Sequence, residues 1–292
     1  MHIKTLLIFL LLAGLSCKKH TAVDSTIPHG FEATPVTKPV VPGTLDEASG
    51  IADSKAKPGY LWVEQDSGNP NEIALLSHDG SFVKKISIKS AVNHDWEDMV
   101  LANGPIVGTN YIYLADIGDN DEVLSQYSIY RFAEPGATTN EVSDYDKIAF
   151  KYPDGAHDAE AILVDNNTKD IYIITKTGAS SRIYKLSYPQ NTGSINTAVF
   201  SGSLSFSSAT SAAFSPDNNE ILVKTYEKIY YWKKKKEQTV EQTLAEAPVI
   251  LSYQLEPQGE AICFKNDNSG FFTLSERPSL ITAINLNFYK RK

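Results

Sequence analysis

Four glutamates stand at matching points of near-copies of one short motif: Glu47 in DEASGIAD, Glu97 in DWEDMVLAN, Glu160 in HDAEAILVDN and Glu260 in GEAICFKN. A fifth copy, ATSAAFSPDN, carries Thr210 in that slot. A buried or crowded carboxylate is costly unless paired or metal-bound, so acids recurring at equivalent points ask for a shared counter-charge. Asp66 (in VEQDSGN) and Asp116 (in LADIGDN) join the four glutamates as expected ligands. Oxygen donors without cysteine suit a hard cation, Ca2+ ahead of Mg2+ or Mn2+. Such a cation polarises an ester or phosphoryl oxygen and lowers the pKa of its water. Lys176 (ITKTG) and Lys224 (LVKTYEK) stand where other repeats carry acids, and are placed to neutralise a small anionic ester or phosphoester substrate. His94 and His157, just ahead of two of the glutamates, complete the candidate catalytic set and leave room for a transition metal. Without a cation, four acids this close repel, and some must take up protons.

The motif returns at a spacing of roughly 50 residues, the mark of a repeat array or propeller. Between its copies lie short runs rich in β-branched and aromatic residues, such as YLWVEQD, NYIYLADIG, DIYIITKTG and EILVKTYE, punctuated by turn residues. Each unit reads as four antiparallel strands. The last unit is one strand short, and ATPVTKPVV, ahead of the first motif, can supply it and close the ring. The expected fold is therefore an all-β, five-bladed β-propeller over residues 35–292. Six blades are the alternative if the long second unit hides another strand set. A helical turn is expected at Glu237 to Ala245, and Glu220 in a solvent-facing turn.

In a propeller the first strand of each blade lines the central channel. Loops entering it, and those leaving the second strand, share one face. The motif glutamates should then ring the channel mouth. Second-strand ends add Asp66, Asp116, Asp119, Lys176, Lys224, Tyr226 and Glu276, while preceding loops add His94, Asp95, His157 and Asp158. The competing reading is turn and blade-latching duty for these polar residues. Trp96, between Asp95 and Glu97, reads as packing against a neighbouring blade.

The composition agrees. The chain has 292 residues, with 15 Tyr, 12 Phe and only 2 Met, which favours strands. A formal charge of −8 and the lack of a basic domain give a nucleic-acid partner no electrostatic support. Lys233–Lys236 reads as a solvated hairpin end. Lys4 and the apolar run Leu6–Leu15 form a signal sequence, residues 1–16, too short to span a bilayer. Gly14-Leu15-Ser16-Cys17 resembles a lipoprotein acylation site with Gly14 in place of the usual Leu, while Gly14 and Ser16 also suit ordinary signal-peptidase cleavage. Residues 17–34 then serve as a lipidated tether, so that the membrane is met only through a lipid anchor. The expected location is the cell envelope, at the outer membrane. Cys263, in EAICF, is left without a partner and reads as a buried structural thiol.

EASGIA, DWEDM, YLADIGDN, DAEAI, ITK and GEAI, in this order over about residues 44–288, resemble a family of bacterial secreted propeller proteins. That family lies near the esterase-like phytases and, more distantly, the β-propeller phytases and the strictosidine synthase and gluconolactonase propellers. The resemblance implies Ca2+ held by channel-mouth carboxylates, with Glu47, Glu97, Glu160 and Glu260 matching by motif. Thr210 departs from it. Two functions follow: a calcium-dependent ester or phosphoester hydrolase, or a non-catalytic propeller that binds a ligand or protein at the same mouth. No Ser-His-Asp arrangement sits at a recognisable elbow.

Overall fold

The β-branched and aromatic runs fold into twenty-two strands and one short helix, in a computed structural model that describes residues 30–136, 138–279, 281 and 283–292. The expected signal sequence and Cys17 lie outside the described residues. Blade one comprises Ala48–Asp53, Tyr60–Gln65, Glu72–Ser77 and Phe82–Ile88. Blade two comprises Trp96–Asn103, Asn110–Asp116, Tyr127–Ala133 and Asp146–Lys151. Blade three runs through Ala159–Val164, Ile171–Thr175, Arg182–Leu186 and Val199–Ser203. Blade four runs through Ala209–Phe214, Glu220–Thr225, Ile229–Lys233 and Val249–Leu251, with helix Val240–Leu244 before its outer strand. Blade five holds Gln258–Phe264, Gly270–Glu276 and Ile284–Lys290, and takes its outer strand, Val36–Val40, from the other end of the chain.

The inner strands pack each against the next, and that of blade five against that of blade one, which closes a five-bladed β-propeller. The closing strand pairs antiparallel from Val36 opposite Phe288 to Val40 opposite Ile284. Pro39 is tolerated there because an outermost strand leaves one row of N–H groups unpaired anyway. Contact with the propeller starts at Gly30, ahead of the expected boundary at residue 35: Glu32 donates to the Lys290 carbonyl at 2.8 Å, and Phe31 is buried against Phe271.

The long second unit does not hold a sixth blade. Its extra residues include Glu141–Val142, which pairs parallel with the outer strand of blade one, and Asn196–Thr197 straps blade two in the same way. Apolar side chains gather in the seams between blades. Trp62, Ile73 and Trp96 fill the first seam, Tyr113, Phe150 and Tyr184 the second, and Ile51, Leu45 and Leu286 the seam that closes the ring. Cys263 is a buried free thiol in that last seam, and burial holds it above the ordinary thiol range. Among the described residues no helix is long and apolar enough to cross a membrane.

The Asp and Asn residues that end the inner strands latch blade to blade. The Asn266 amide donates to Asp53 Oδ2 at 2.7 Å, and Asn103 donates through its own amide to Asn166 Oδ1 at 2.8 Å. Turn-and-latch duty thus falls to these residues at the far end of the channel and, at the mouth, to Asp119, whose amide donates to Asp158 Oδ1 of the next blade at 2.9 Å. Glu220 is not in a solvent-facing turn. It is buried on the second strand of blade four and accepts from Tyr231 at 2.6 Å and Arg291 at 3.0 Å.

Candidate functional site: the acidic channel mouth

The repeated slot is a β-bulge. In blade two Trp96 faces Asp116 and Asp98 faces Ala115, which leaves Glu97 as the extra residue. Blades three, four and five leave Glu160, Thr210 and Glu260 in the same way. A bulge re-aims the extra side chain, and the device recurs beside functional sites because of that. In blade one the irregularity falls between Ala48 and Ile51, so Ser49 holds the slot and Glu47 does not. Glu47 precedes the strand, on an exposed rim, where it accepts from Asn69. The second strands end beside these bulges and add Asp66, Lys176, Tyr226 and Glu276.

The mouth has two unlike walls. On one, Glu260 accepts from Ser49 at 2.7 Å and from Tyr226 at 2.9 Å, and Gln258 bridges Glu260 and Glu276. On the other, one carboxylate oxygen each from Asp66, Asp95 and Glu97 lies within 4.8 Å of the others. Glu97 meets no hydrogen-bond donor there among the described residues. Gly118 backs this group: a Cβ on it would fall 2.3 Å from both Asp95 Oδ2 and Glu97 Oε1, so only glycine lets the loop close on the pair. Asp116 is a positioning residue. Its carboxylate accepts from the amides of His94 at 3.2 Å and Asp95 at 3.0 Å, fixing the turn that presents Asp95.

Beneath the cluster lies Glu64, fully buried on the second strand of blade one, with no donor to either carboxylate oxygen among the described residues. It leans over Gly50, where a Cβ would come within 2.7 Å of Glu64 Oε1 and 2.4 Å of the Met99 nitrogen. Asp98 closes the channel below. Its carboxylate accepts from the Ile162 amide at 2.9 Å and the Ser211 hydroxyl at 2.9 Å, joining blades two, three and four. Burial, then the charges of Asp66, Asp98, Glu260 and Glu276, pushes Glu64 well above the carboxylate range. Burial, then Asp66 and Asp95, does the same to Glu97. Asp66 is raised to about 7, chiefly by burial, and Glu276 to about 10 by burial and the neighbouring Glu260.

The lysines separate. Lys176 reaches the mouth, pairs with Glu160 and lies 5.6 Å over the Tyr226 ring, while Glu160 Oε2 has no partner among the described residues. Lys224 does not face the mouth. Two residues short of Tyr226 on the same face of its strand, it is buried deeper and completely. There it donates to the Gly259 carbonyl at 2.6 Å and Tyr253 at 2.9 Å, with Glu256 at 3.4 Å. It is a structural cation. His94 is largely exposed and bonds Asp116 at 3.0 Å. His157 sits apart in an aromatic nest on blade three, stacked on Tyr184 and bonded to Asp154 at 3.1 Å. Asp119 caps the loop at Val123 and Leu124. Neither histidine reaches the acidic cluster.

The raised acids give a pH dependence whose sign is opposite to that of an ion-paired carboxylate. A carboxyl with a raised folded pKa holds a proton that the unfolded chain has released, so stability falls as pH rises between the two values. Asp66 and Asp98, both at about 7, act from about pH 4 to 7, and Glu276 acts up to about 10. The lowered acids, such as Asp46 beside Arg277 and Asp267 at about 2, are ionised in both states above about pH 5 and drop out there. Melted with chelator present, the protein is expected to be less stable at pH 8 than at pH 5. An equal or higher melting temperature at pH 8 contradicts the crowded mouth.

Fold and mouth together define a β-propeller with an acidic funnel at one end of its channel. Among solved structures the chain is similar to a luciferin-regenerating enzyme at a TM-score of 0.53, with 8% identity over 88% of this chain and 95% of that one. It is also similar to an auxiliary nutrient binding protein from Bacteroides thetaiotaomicron, at a TM-score of 0.48, with 8% identity over 89% of this chain and 73% of that one. The first of these likenesses shows a shared propeller fold. No family model and no curated protein matches the sequence.

Proposed function

We propose that this chain is an envelope-attached propeller whose channel mouth binds a divalent cation, calcium before magnesium, and hydrolyses phosphate or carboxylic esters of small anionic substrates there. The observation that carries the reading is the close carboxylate group Asp66, Asp95 and Glu97 above a fully buried Glu64 that meets no donor among the described residues. Carboxylate oxygens with no sulfur donor fit a hard cation. A bound calcium supplies Lewis acidity to an ester or phosphoryl oxygen and lowers the pKa of its water. Lys176, the cation that reaches this mouth, orients the substrate's anionic group, and Glu160 holds Lys176 in place. The test is a panel of phosphomonoesters, phytate, lactones and acyl esters, assayed with calcium and with chelator. Calcium-dependent turnover of any member supports hydrolysis. Calcium binding without turnover leaves the second reading, a non-catalytic binding propeller. That reading is favoured by the engagement of His94 and His157 with Asp116 and Asp154, away from the cluster.

The attachment is carried by Cys17 and the apolar run before it. Changing Cys17→Ser is expected to move the protein from the membrane to the soluble fraction, or to stall its processing, and to remove metabolic palmitate label. Unchanged partitioning of an unlabelled protein contradicts the anchor.

A further inference from the structure

A cleft of about 460 Å3 opens between blades three and four and shares a wall with the acidic mouth. Its shared wall is Tyr226, whose hydroxyl donates to Glu260 at 2.9 Å and whose ring lies beneath Lys176. Its floor is aromatic. Phe206 lies flat on Tyr230, with ring centroids 3.5 Å apart and planes 5° from parallel, and Trp232 stands behind at 6.3 Å. The loop bearing Phe206 is fixed at both ends: Ser181 donates to the Phe206 carbonyl at 2.8 Å, and Ser208 donates to the Lys176 carbonyl at 2.9 Å. Ser208 adopts φ 66°, a strained value for a residue with a side chain, so the loop is held in one shape. The hydroxyls of Ser207 and Ser208 and the Lys228 amine line the cleft without a hydrogen bond or ion pair among the described residues.

The volume suits part of a small ligand. Three aromatic rings against two free hydroxyls favour a planar ring. The lining lacks an amide, and its one carboxylate, Glu227, is exposed, so the dense polar readout that a sugar needs is missing. We propose that this cleft receives an aromatic ring whose attached anionic group faces Lys176, which makes aryl phosphates and other anionic aryl esters the substrate class of the mouth. The substrate class rests on the hydrolase reading above; the ring-binding subsite does not.

Phenylphosphonate and methylphosphonate, which carry the same anion and resist hydrolysis, test the cleft by titration calorimetry. The parent is expected to bind the phenyl compound about tenfold more tightly, the scale of one ring placed against aromatic surface. Ala179→Trp, at an exposed position on the cleft lip, fills the cleft and should remove the preference while leaving methylphosphonate binding unchanged. Independently of that variant, saturation of the parent's aromatic protons should transfer to the phenyl ring. Equal affinities in the parent, no phenylphosphonate binding, or a preference that survives in a folded Ala179→Trp protein overturns the proposal. Calcium titrated into the same samples separates the two readings. Phenyl preference without calcium binding removes the cation site alone, and calcium binding with equal affinities removes the cleft alone.

Discussion

Deleting residues 30–45 is expected to abolish the cooperative melt of the propeller. The segment buries Phe31, Val40 and Leu45 almost completely, and its strand covers Ile284 and Leu286 of blade five. Three apolar side chains of this size contribute about 5 to 9 kcal/mol, as much as the whole stability of many domains. The loss also falls where it does most damage. The strand closes the ring, so removing it uncovers a sheet edge and opens the seam between blades five and one, where Ala48, Ile51 and Phe272 meet. Circular dichroism melts decide the matter. A deletion variant that still unfolds cooperatively within about two degrees of the parent, a shift of under 1 kcal/mol, contradicts closure by the N-terminal strand.

Lys224→Met is expected to cost about 3 to 5 kcal/mol, the usual result of removing one partner from a buried ion pair. Burial alone depresses the Lys224 pKa, and Glu256 opposes that shift, so the lysine is held by its partners. Methionine fills similar space but leaves Glu256 buried without its cation, and the Gly259 carbonyl without its donor. Glu256 would keep only its neutral donors, among them Tyr253 at 2.7 Å and Asn287 at 2.8 Å. Adding Glu256→Gln should recover part of the loss, since the uncompensated charge goes with it. Lys176→Met also strands a buried carboxylate, Glu160, so the parent is the reference for both lysine variants. Equal urea midpoints for Lys224→Met and the parent contradict the structural assignment of Lys224.

The difference between those lysines shows what sequence can reveal here. Repeat spacing and strand runs were enough to read five blades, and the missing last strand was enough to read closure. Three of the four motif glutamates, Glu97, Glu160 and Glu260, occupy the bulge. Glu47 misled because residue type drew the alignment two positions away from Ser49, and nothing in DEASGIAD marks where pairing slips. Lys224 and Tyr226 share a face of one strand, so period-two reasoning puts both toward the channel. Depth along the strand decides which meets solvent, and Gly259 makes room for the deeper one: a Cβ there would fall 2.5 Å from Lys224 Nζ. Glu64 looks like an ordinary strand residue in YLWVEQD. Its significance comes from Gly50, opposite it on another strand, whose missing side chain leaves space for the carboxylate. Such long-range fits have no local signature.

Calcium titration calorimetry on the parent, Glu97→Gln and Glu237→Gln tests the central claim most directly. Glu97 belongs to the acidic group at the mouth, whereas Glu237 is exposed near a hairpin end, so the pair separates the mouth from general surface charge. One calcium should bind the parent and Glu237→Gln alike. Glu97→Gln should bind it about tenfold more weakly or worse, since a ligand charge is lost. At a hundredfold excess over Kd, calcium should stabilise the parent by about 2.7 kcal/mol, visible as a raised melting temperature. Without calcium, Glu97→Gln should melt higher than the parent at neutral pH, because the amide escapes the cost of holding a proton in the crowded mouth. A parent that gives no binding heat and melts identically in calcium and chelator, or a Glu97→Gln protein that binds calcium as tightly as the parent, contradicts a cation site at the channel mouth.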